Sequence, residues 1–487
     1  MNYKVIAILG LIFLSVNFGC KKLVEVDGPK TSVNSKNVYN NDATAIGSLT
    51  SLYIKLSSTY IQYPGELTSL SCFAGLSADE LTYFDGAGDP TLAVYYQNSL
   101  DPFNAGAGND YWCRTYRNIF LANAALEGLE LSTSLTPSVK QQLIGEAKFM
   151  RAFYYFYLNN LYGEVPLVLN TDYSVNAMIK KATKVKVYDQ IVKDLKEAQN
   201  LLSDNYLKGN LIAAYPVGLE ERVRPTKWAA TALLARTYLF IGDWTNASVQ
   251  ASIILNNSTQ FQLESLDKVF LKNNHEAIWQ LQPTDIGFNT KEAQMFVMPI
   301  EGPSRSNPVY LSSEIIKAFE AEDQRKTHWI GRVNANGNTY YYPFKYKIKQ
   351  SSMLDAPVTE YCTVIRLAEL FLIRAESKAR LGNLTDAISD VDLVRKRAGL
   401  QPIESVNPTI NIEDLVNLIL REKRIELFAE WGHRWLDLKR TGEIDGVMDK
   451  ITPKKSNGGI WKNYQQYYPI WSFELQANPN LSQVSGY

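Results

Sequence analysis

From residue 114 onwards, aliphatic, aromatic and alanine positions recur at three- and four-residue spacing, the repeat of helices that bury one face. A chain with this pattern over most of its length folds as packed helices. Ser138 to Tyr162 is the clearest case, with Leu143, Ala147, Met150, Tyr154 and Leu158 on one stripe and Gly163 and Pro166 as terminators. The same spacing predicts helices at 114–131, 186–202, 226–241, 244–256, 312–321, 362–381, 384–398 and 411–431. Strand signals are few. One is residues 339–348, where Tyr340, Tyr342, Phe344 and Tyr346 alternate onto one face after an Asn336-Gly337 turn.

Two helix pairs share their punctuation: Gly242-Asp243 followed by Ala247, and Gly382-Asn383 followed by Ala387. The glycine breaks the first helix, and the alanine lets the second pack closely. This resembles the tetratricopeptide hairpin, whose Leu, small, Tyr and Ala positions are met in the first copy by Leu234, Ala235, Tyr238 and Ala247; Lys378 replaces the Tyr in the second. The copies are not tandem, which argues against a continuous solenoid. The expected fold is mainly α: tetratricopeptide-like hairpins forming a scaffold, with a few short strands and long aromatic-rich loops at 82–112, 206–225, 282–311 and 331–361.

The N-terminus sets the compartment. Lys4, an apolar run from Val5 to Leu14 and then Phe18-Gly19-Cys20 read as a secretory signal, because the run is shorter than the roughly 20 apolar residues that a membrane span needs. A small residue before Cys20 resembles the bacterial lipobox, in which Cys20 becomes the acylated first residue. Residues 1–19 are then the signal peptide, 20–37 the lipidated cysteine and a polar tether, 38–225 an N-terminal region and 226–487 a C-terminal region packed with it.

With 50 basic and 50 acidic residues, the chain lacks the single-sign field that draws proteins onto nucleic acid. The wide spacing of Cys72, Cys113 and Cys362 and the three scattered histidines match no metal-ligand motif, and neither a cofactor nor a metal is expected. Asp85, Asp89 and the run 334–338 offer oxygens to calcium without the full set of an EF-hand, and turns explain them better. No nucleophile elbow, P-loop or dinucleotide fingerprint occurs. Glu422, Glu426 and Glu430 lie four residues apart on one helix and could suit a glycosidase, but Arg421, Lys423, Arg424 and Arg434 interleave with them, which favours an ion-pair network.

Four segments together resemble the SusD/RagB family of outer-membrane lipoproteins from Bacteroidetes. They are Glu146 to Tyr157 running on to Leu167; Arg366 to Glu376 with Arg395 to Gly399; Arg421 to Glu430 with Arg434 to Gly442; and the tail Asn478 to Gln483 with Gly486-Tyr487. Trp471 and Val484 depart from the usual tail. The resemblance implies a charge network among Arg366, Arg374, Glu376 and Glu426. It also implies a surface lipoprotein of the outer membrane, held by lipid on Cys20, that is not an enzyme. Such a protein binds an oligosaccharide, or another nutrient such as a peptide, and passes it to a SusC-like TonB-dependent transporter barrel.

Sugar capture requires flat aromatic faces ringed by hydrogen-bonding side chains. The loops offer Tyr83, Phe84, Asp85, Tyr95, Tyr96 and Asn98, and then Phe288, Asn289, Arg305 and Tyr310. Trp329 and Trp461 are weaker candidates, whereas Trp112, Trp228, Trp279 and Trp435 sit in core-like patterns. A peptide-capture protein and a surface glycosidase remain as alternatives.

Overall fold

The computed structural model describes residues 37–58, 63–103, 109–350, 353 and 356–487. The signal peptide, Cys20 and the tether as far as residue 36 lie outside the described residues.

The framework helices are α1 (Asp42–Ser58), α2 (Leu70–Ser77), α3 (Pro90–Tyr96), α4 (Asn109–Leu131), α5 (Pro137–Tyr162), α6 (Lys184–Leu201), α7 (Lys227–Phe240), α8 (Trp244–Leu255), α9 (Leu367–Arg380), α10 (Leu384–Arg397), α11 (Ile412–Glu426) and α12 (His433–Thr441). The fold is mostly helical, and α5 is its centre. Pro137 opens α5 and Gly163, at φ 79°, closes it, leaving 26 residues, or about 39 Å of helix. From Phe149 to Tyr162 every residue of α5 is buried, so the helix is covered on all sides rather than on one face. It packs between α4 and α6, and the Phe153 ring meets Trp279 and Trp431 edge-on.

Both punctuated hairpins form as the sequence predicts. Gly242 and Gly382 take φ of 77° and 84°, the left-handed conformation that favours glycine. Asp243 and Asn383 then cap α8 and α10 by accepting from the backbone N–H of Asn246 and Asp386. Ala247 and Ala387 are fully buried at the crossings. The argument against a continuous solenoid does not hold in space. Helices α4 to α10 pack each on the next, and α8 lies directly against α9 although residues 256–366 separate them in sequence. The long segment is an excursion that leaves the array and returns to it.

The strands of three or more residues among the described residues are β1 (Leu81–Tyr83), β2 (Ala277–Leu281), β3 (Val309–Leu311), β4 (Ile330–Ala335), β5 (Asn338–Pro343) and β6 (Cys362–Arg366). They pair antiparallel as β1 with β3, β2 with β6 and β4 with β5. Residues 362–366 were expected to open a helix. Instead they form a strand that is buried throughout, so no alternation exposes it in the sequence. The β4–β5 hairpin turns at Asn336 and Gly337, both with positive φ, as its sequence predicts.

Charged residues buried between α9, α11 and the excursion tie these parts together. Glu426 lies among Arg325, Arg366 and Arg397, and Arg366 also reaches Glu276 at 3.0 Å and Glu430 at 2.9 Å. Arg325 and Lys345, on either side of the β4–β5 hairpin, are both held by α11 and the turn after it: Arg325 by Glu422 and Glu426, Lys345 by Glu430. The network expected of Arg366, Arg374, Glu376 and Glu426 divides. Arg374 pairs with Asp390 and Glu376 with Arg440, separately from the Glu426 cluster, because side chains facing different neighbours along α9 cannot share one partner.

His433 sits against Glu369 and Asp437 at the start of α12, and burial pushes its imidazole down to about 4. The unfolded chain therefore takes up a proton on this residue between pH 6.5 and 4 that the folded chain refuses, so stability falls as pH falls. His433 should account for about 3 kcal/mol of loss by pH 4. Thermal unfolding from pH 7 to 4 should show a shallower decline for His433→Gln than for the native chain, and parallel curves would refute this.

Candidate functional site

The β1–β3 pairing joins the two aromatic loops. Successive side chains in a strand face opposite sides, so Leu81, Tyr83, Val309 and Leu311 enter the core while Thr82 and Tyr310, directly paired, face outward. The β4–β5 hairpin lies over β3 and sets the Tyr340 ring edge-on to Tyr310 at 5.1 Å. On the other side comes Tyr96, the last residue of α3. Asp89 starts that helix by accepting from the N–H groups of Thr91 and Leu92, which is the turn-forming role expected of it. Thr82 and the Ser456 backbone hydrogen-bond to Tyr96, and Ser456 Oγ donates to the exposed Asp85.

The result is a shelf of the half-buried Tyr310 and Tyr340 rings, backed by the buried Tyr96 and edged by Asp85, Thr82 and Ser456. Burial, with Tyr96, Tyr340 and Asp85 alongside, pushes the Tyr310 phenol up to about 12. It stays neutral at any physiological pH and can both donate and accept. Beside the shelf is a cavity of about 130 Å³ whose wall includes Thr82, Tyr96, Ser313, Glu314 and the exposed Lys454. Beneath it, Lys455 lies 5.2 Å from the centre of the Tyr96 ring and donates to the Leu76 and Ser77 carbonyls. Burial pushes this ammonium down to about 7.

The remaining candidates fall elsewhere. Tyr83 is buried and accepts from the Asp89 N–H at 2.6 Å. Tyr95 is fully buried between the Phe73 and Tyr468 rings. Asn98, buried at φ 54°, donates to Ser77 O and Thr452 Oγ1. Asn289 is buried beside Leu56, Ser57 and Cys362 and accepts from the backbone of Thr359 and Glu360, with the half-buried Phe288 next to it. These residues build the scaffold of the loops rather than the surface of the shelf. Phe84 is half-buried over Gly86, and Arg305 is exposed in the segment before β3. Trp329 and Trp461 are core residues. Tyr340, Thr82, Lys454 and Ser456 were absent from the sequence candidates, although the alternation of 339–348 had already set Tyr340 on a strand face.

Comparison with known proteins agrees with this architecture. A family profile described as "Starch-binding associating with outer membrane" matches residues 91–239, and the profile of the SusD family matches residues 276–487. The chain belongs to the SusD/RagB family. A SusD-like protein of Formosa agariphila is 24% identical over 532 residues, covering 99% of both chains. One from Bacteroides ovatus is 26% identical over 403 residues, covering 72% of this chain and 67% of its own. Among solved structures, a laminarin-binding SusD-like protein superposes with a TM-score of 0.74 at 22% identity, covering 92% of this chain and 100% of its own. Surface glycan-binding protein A of Bacteroides uniformis gives 0.74 at 20% identity, covering 91% and 99%. SusD-family proteins are associated with the outer membrane. Among the described residues, no helix of this member is long and apolar enough to cross a membrane.

Proposed function

We propose that this SusD-family chain is a non-catalytic surface lipoprotein that captures an oligosaccharide on the tyrosine shelf and passes it to a TonB-dependent transporter barrel. The observation that carries this reading is the shelf itself. Pyranose rings have apolar C–H faces that lie on aromatic rings, and their hydroxyls find Asp85, Thr82, Ser456 and the tyrosine phenols at its edge. The similar folds of a laminarin-binding SusD-like protein and of surface glycan-binding protein A support the same class of ligand.

The glycosidase alternative loses its best acids, since Glu422, Glu426 and Glu430 are buried among guanidinium groups and Lys345. Calorimetry against a panel of soluble glycans that includes laminarin should give saturable binding without release of reducing ends. Turnover, or binding of peptides with no glycan affinity, would overturn the proposal. Anchoring through acylated Cys20 belongs to the same proposal. Cys20→Ala should move the protein from the membrane to the soluble fraction, and unchanged membrane association would contradict a lipid anchor.

A further inference from the structure

On another face of the molecule, Trp112, Tyr116 and Phe120 follow each other at four-residue spacing along α4 and form a ladder about 12 Å long. Opposite lie residues 166–179, including the strongly exposed Tyr173, and the C-terminal helix Ser472–Ala477 closes one end. Between them is a slot of about 350 Å³ that shares no wall residue with the tyrosine shelf or its cavity. That size suits a small molecule rather than scattered water.

The polar atoms of the slot lean one way. Tyr116 donates to Pro166 O at 2.8 Å, Thr171 to Glu127, Asn176 Nδ2 to Asn170 O at 2.9 Å and Asn478 Nδ2 to Ile179 O at 2.9 Å, so these donors are already committed. The bond from Nδ2 also fixes the orientation of the Asn176 amide, and its Oδ1 is buried with no hydrogen-bond partner among the described residues. Glu474 is the one charged residue among those lining the slot; it makes no ion pair among the described residues, and its Oε1 accepts from the Cys113 thiol at 3.5 Å. An orphaned acceptor and a carboxylate set among aromatic rings favour a cation: the carboxylate attracts it, the ring faces stabilise it, and the apolar walls cover its body.

We propose that this slot binds a small organic ammonium compound with an apolar, ring-sized body, its N–H groups directed to Glu474 and Asn176. The test is calorimetry on the purified chain with three probes: tryptamine, its uncharged counterpart 3-methylindole, and glucosamine, an amine with a polar body. Tryptamine should bind saturably and at least tenfold more tightly than 3-methylindole, and glucosamine should not displace it. Glu474→Gln should bring tryptamine and 3-methylindole to similar affinity. Because that variant touches the tail helix, Phe120→Ala is a second arm: its ring is 46% exposed, its removal should leave thermal unfolding unchanged, and it should weaken tryptamine several-fold. Equal affinity for the charged and uncharged indoles, absence of saturation, displacement by glucosamine, or a charge preference that survives in Glu474→Gln would each overturn the assignment. Since the slot is separate from the shelf, glycan binding should be unaffected in both variants.

Discussion

Glu426→Gln is expected to destabilise the fold by about 3–5 kcal/mol, the range for removing one member of a buried ion-pair cluster. The native carboxylate answers Arg366 at 2.5 Å and Arg325 at 2.9 Å and also meets Arg397. A glutamine keeps the shape but removes the charge, and its amide N–H₂ must face a guanidinium, so donor meets donor where no water can intervene. The three arginines hold the Glu426 carboxyl well below the usual carboxylate range. Its contribution is therefore complete above the unfolded value of 4.5 and is lost as pH falls further toward the folded value. Urea unfolding near neutral pH should show the deficit, and it should narrow when the comparison is repeated well below pH 4. Glycan affinity at a temperature where both forms are folded should not change, because no Glu426 atom reaches the shelf. A variant with native stability would refute the structural role.

The second large effect is functional. Replacing both Tyr310 and Tyr340 by alanine should weaken glycan binding at least about thirtyfold, taking about 2 kcal/mol as the value of a well-placed aromatic anchor. Both rings are only partly buried, and they lean on each other at 5.1 Å, so their loss strips the shelf while leaving the β1–β3 pairing intact. Tyr310→Phe separates the two roles of that side chain: it keeps the apolar face and loses the hydroxyl, and should fall between native and Tyr310→Ala. Asn289→Ala is the contrast, since its amide oxygen joins two loop backbones and its loss should lower stability rather than affinity. Calorimetry and thermal unfolding on the same preparations decide the matter. Native affinity in the double variant would move the site away from the shelf.

The helices were legible where the apolar spacing was regular and punctuation was strong. Asp243 and Asn383 cap where expected, and α5 ends at the predicted glycine. Helix α1 was passed over, yet its signal was present: Ala45, Leu49, Leu52 and Leu56 recur at helical spacing and are all buried. The helix expected to continue to residue 431 stops at 426. Ala429 and Trp431 adopt left-handed φ of 52° and 47°, which neither residue type favours on its own. Tertiary bonds impose it: Trp431 accepts its conformation while its N–H reaches Ser71 Oγ at 3.1 Å and its indole reaches Thr363 O at 2.8 Å. A local pattern cannot contain that information.

The same limit governed the shelf. Aromatic loops announce a surface for ligands, but which rings share it depends on Thr82 meeting Tyr310 across a two-strand ribbon, a pairing of residues far apart in the chain. Without that register, Tyr83 and Tyr310 look equivalent. The pleat then turns one inward and the other outward.

Arg325 and Lys345 give the β4–β5 hairpin an unusual independence. Both roots of the hairpin are bolted to α11 and the turn after it, while the fourteen positions from Ile330 to Pro343 pair mainly with each other. The scaffold therefore treats the hairpin as an exchangeable part. Its length, its tip around Asn336-Gly337 and the ring carried at Tyr340 can change between two fixed mountings, and a lineage of such proteins could acquire a new ligand by rewriting this ribbon while leaving every buried ion pair untouched.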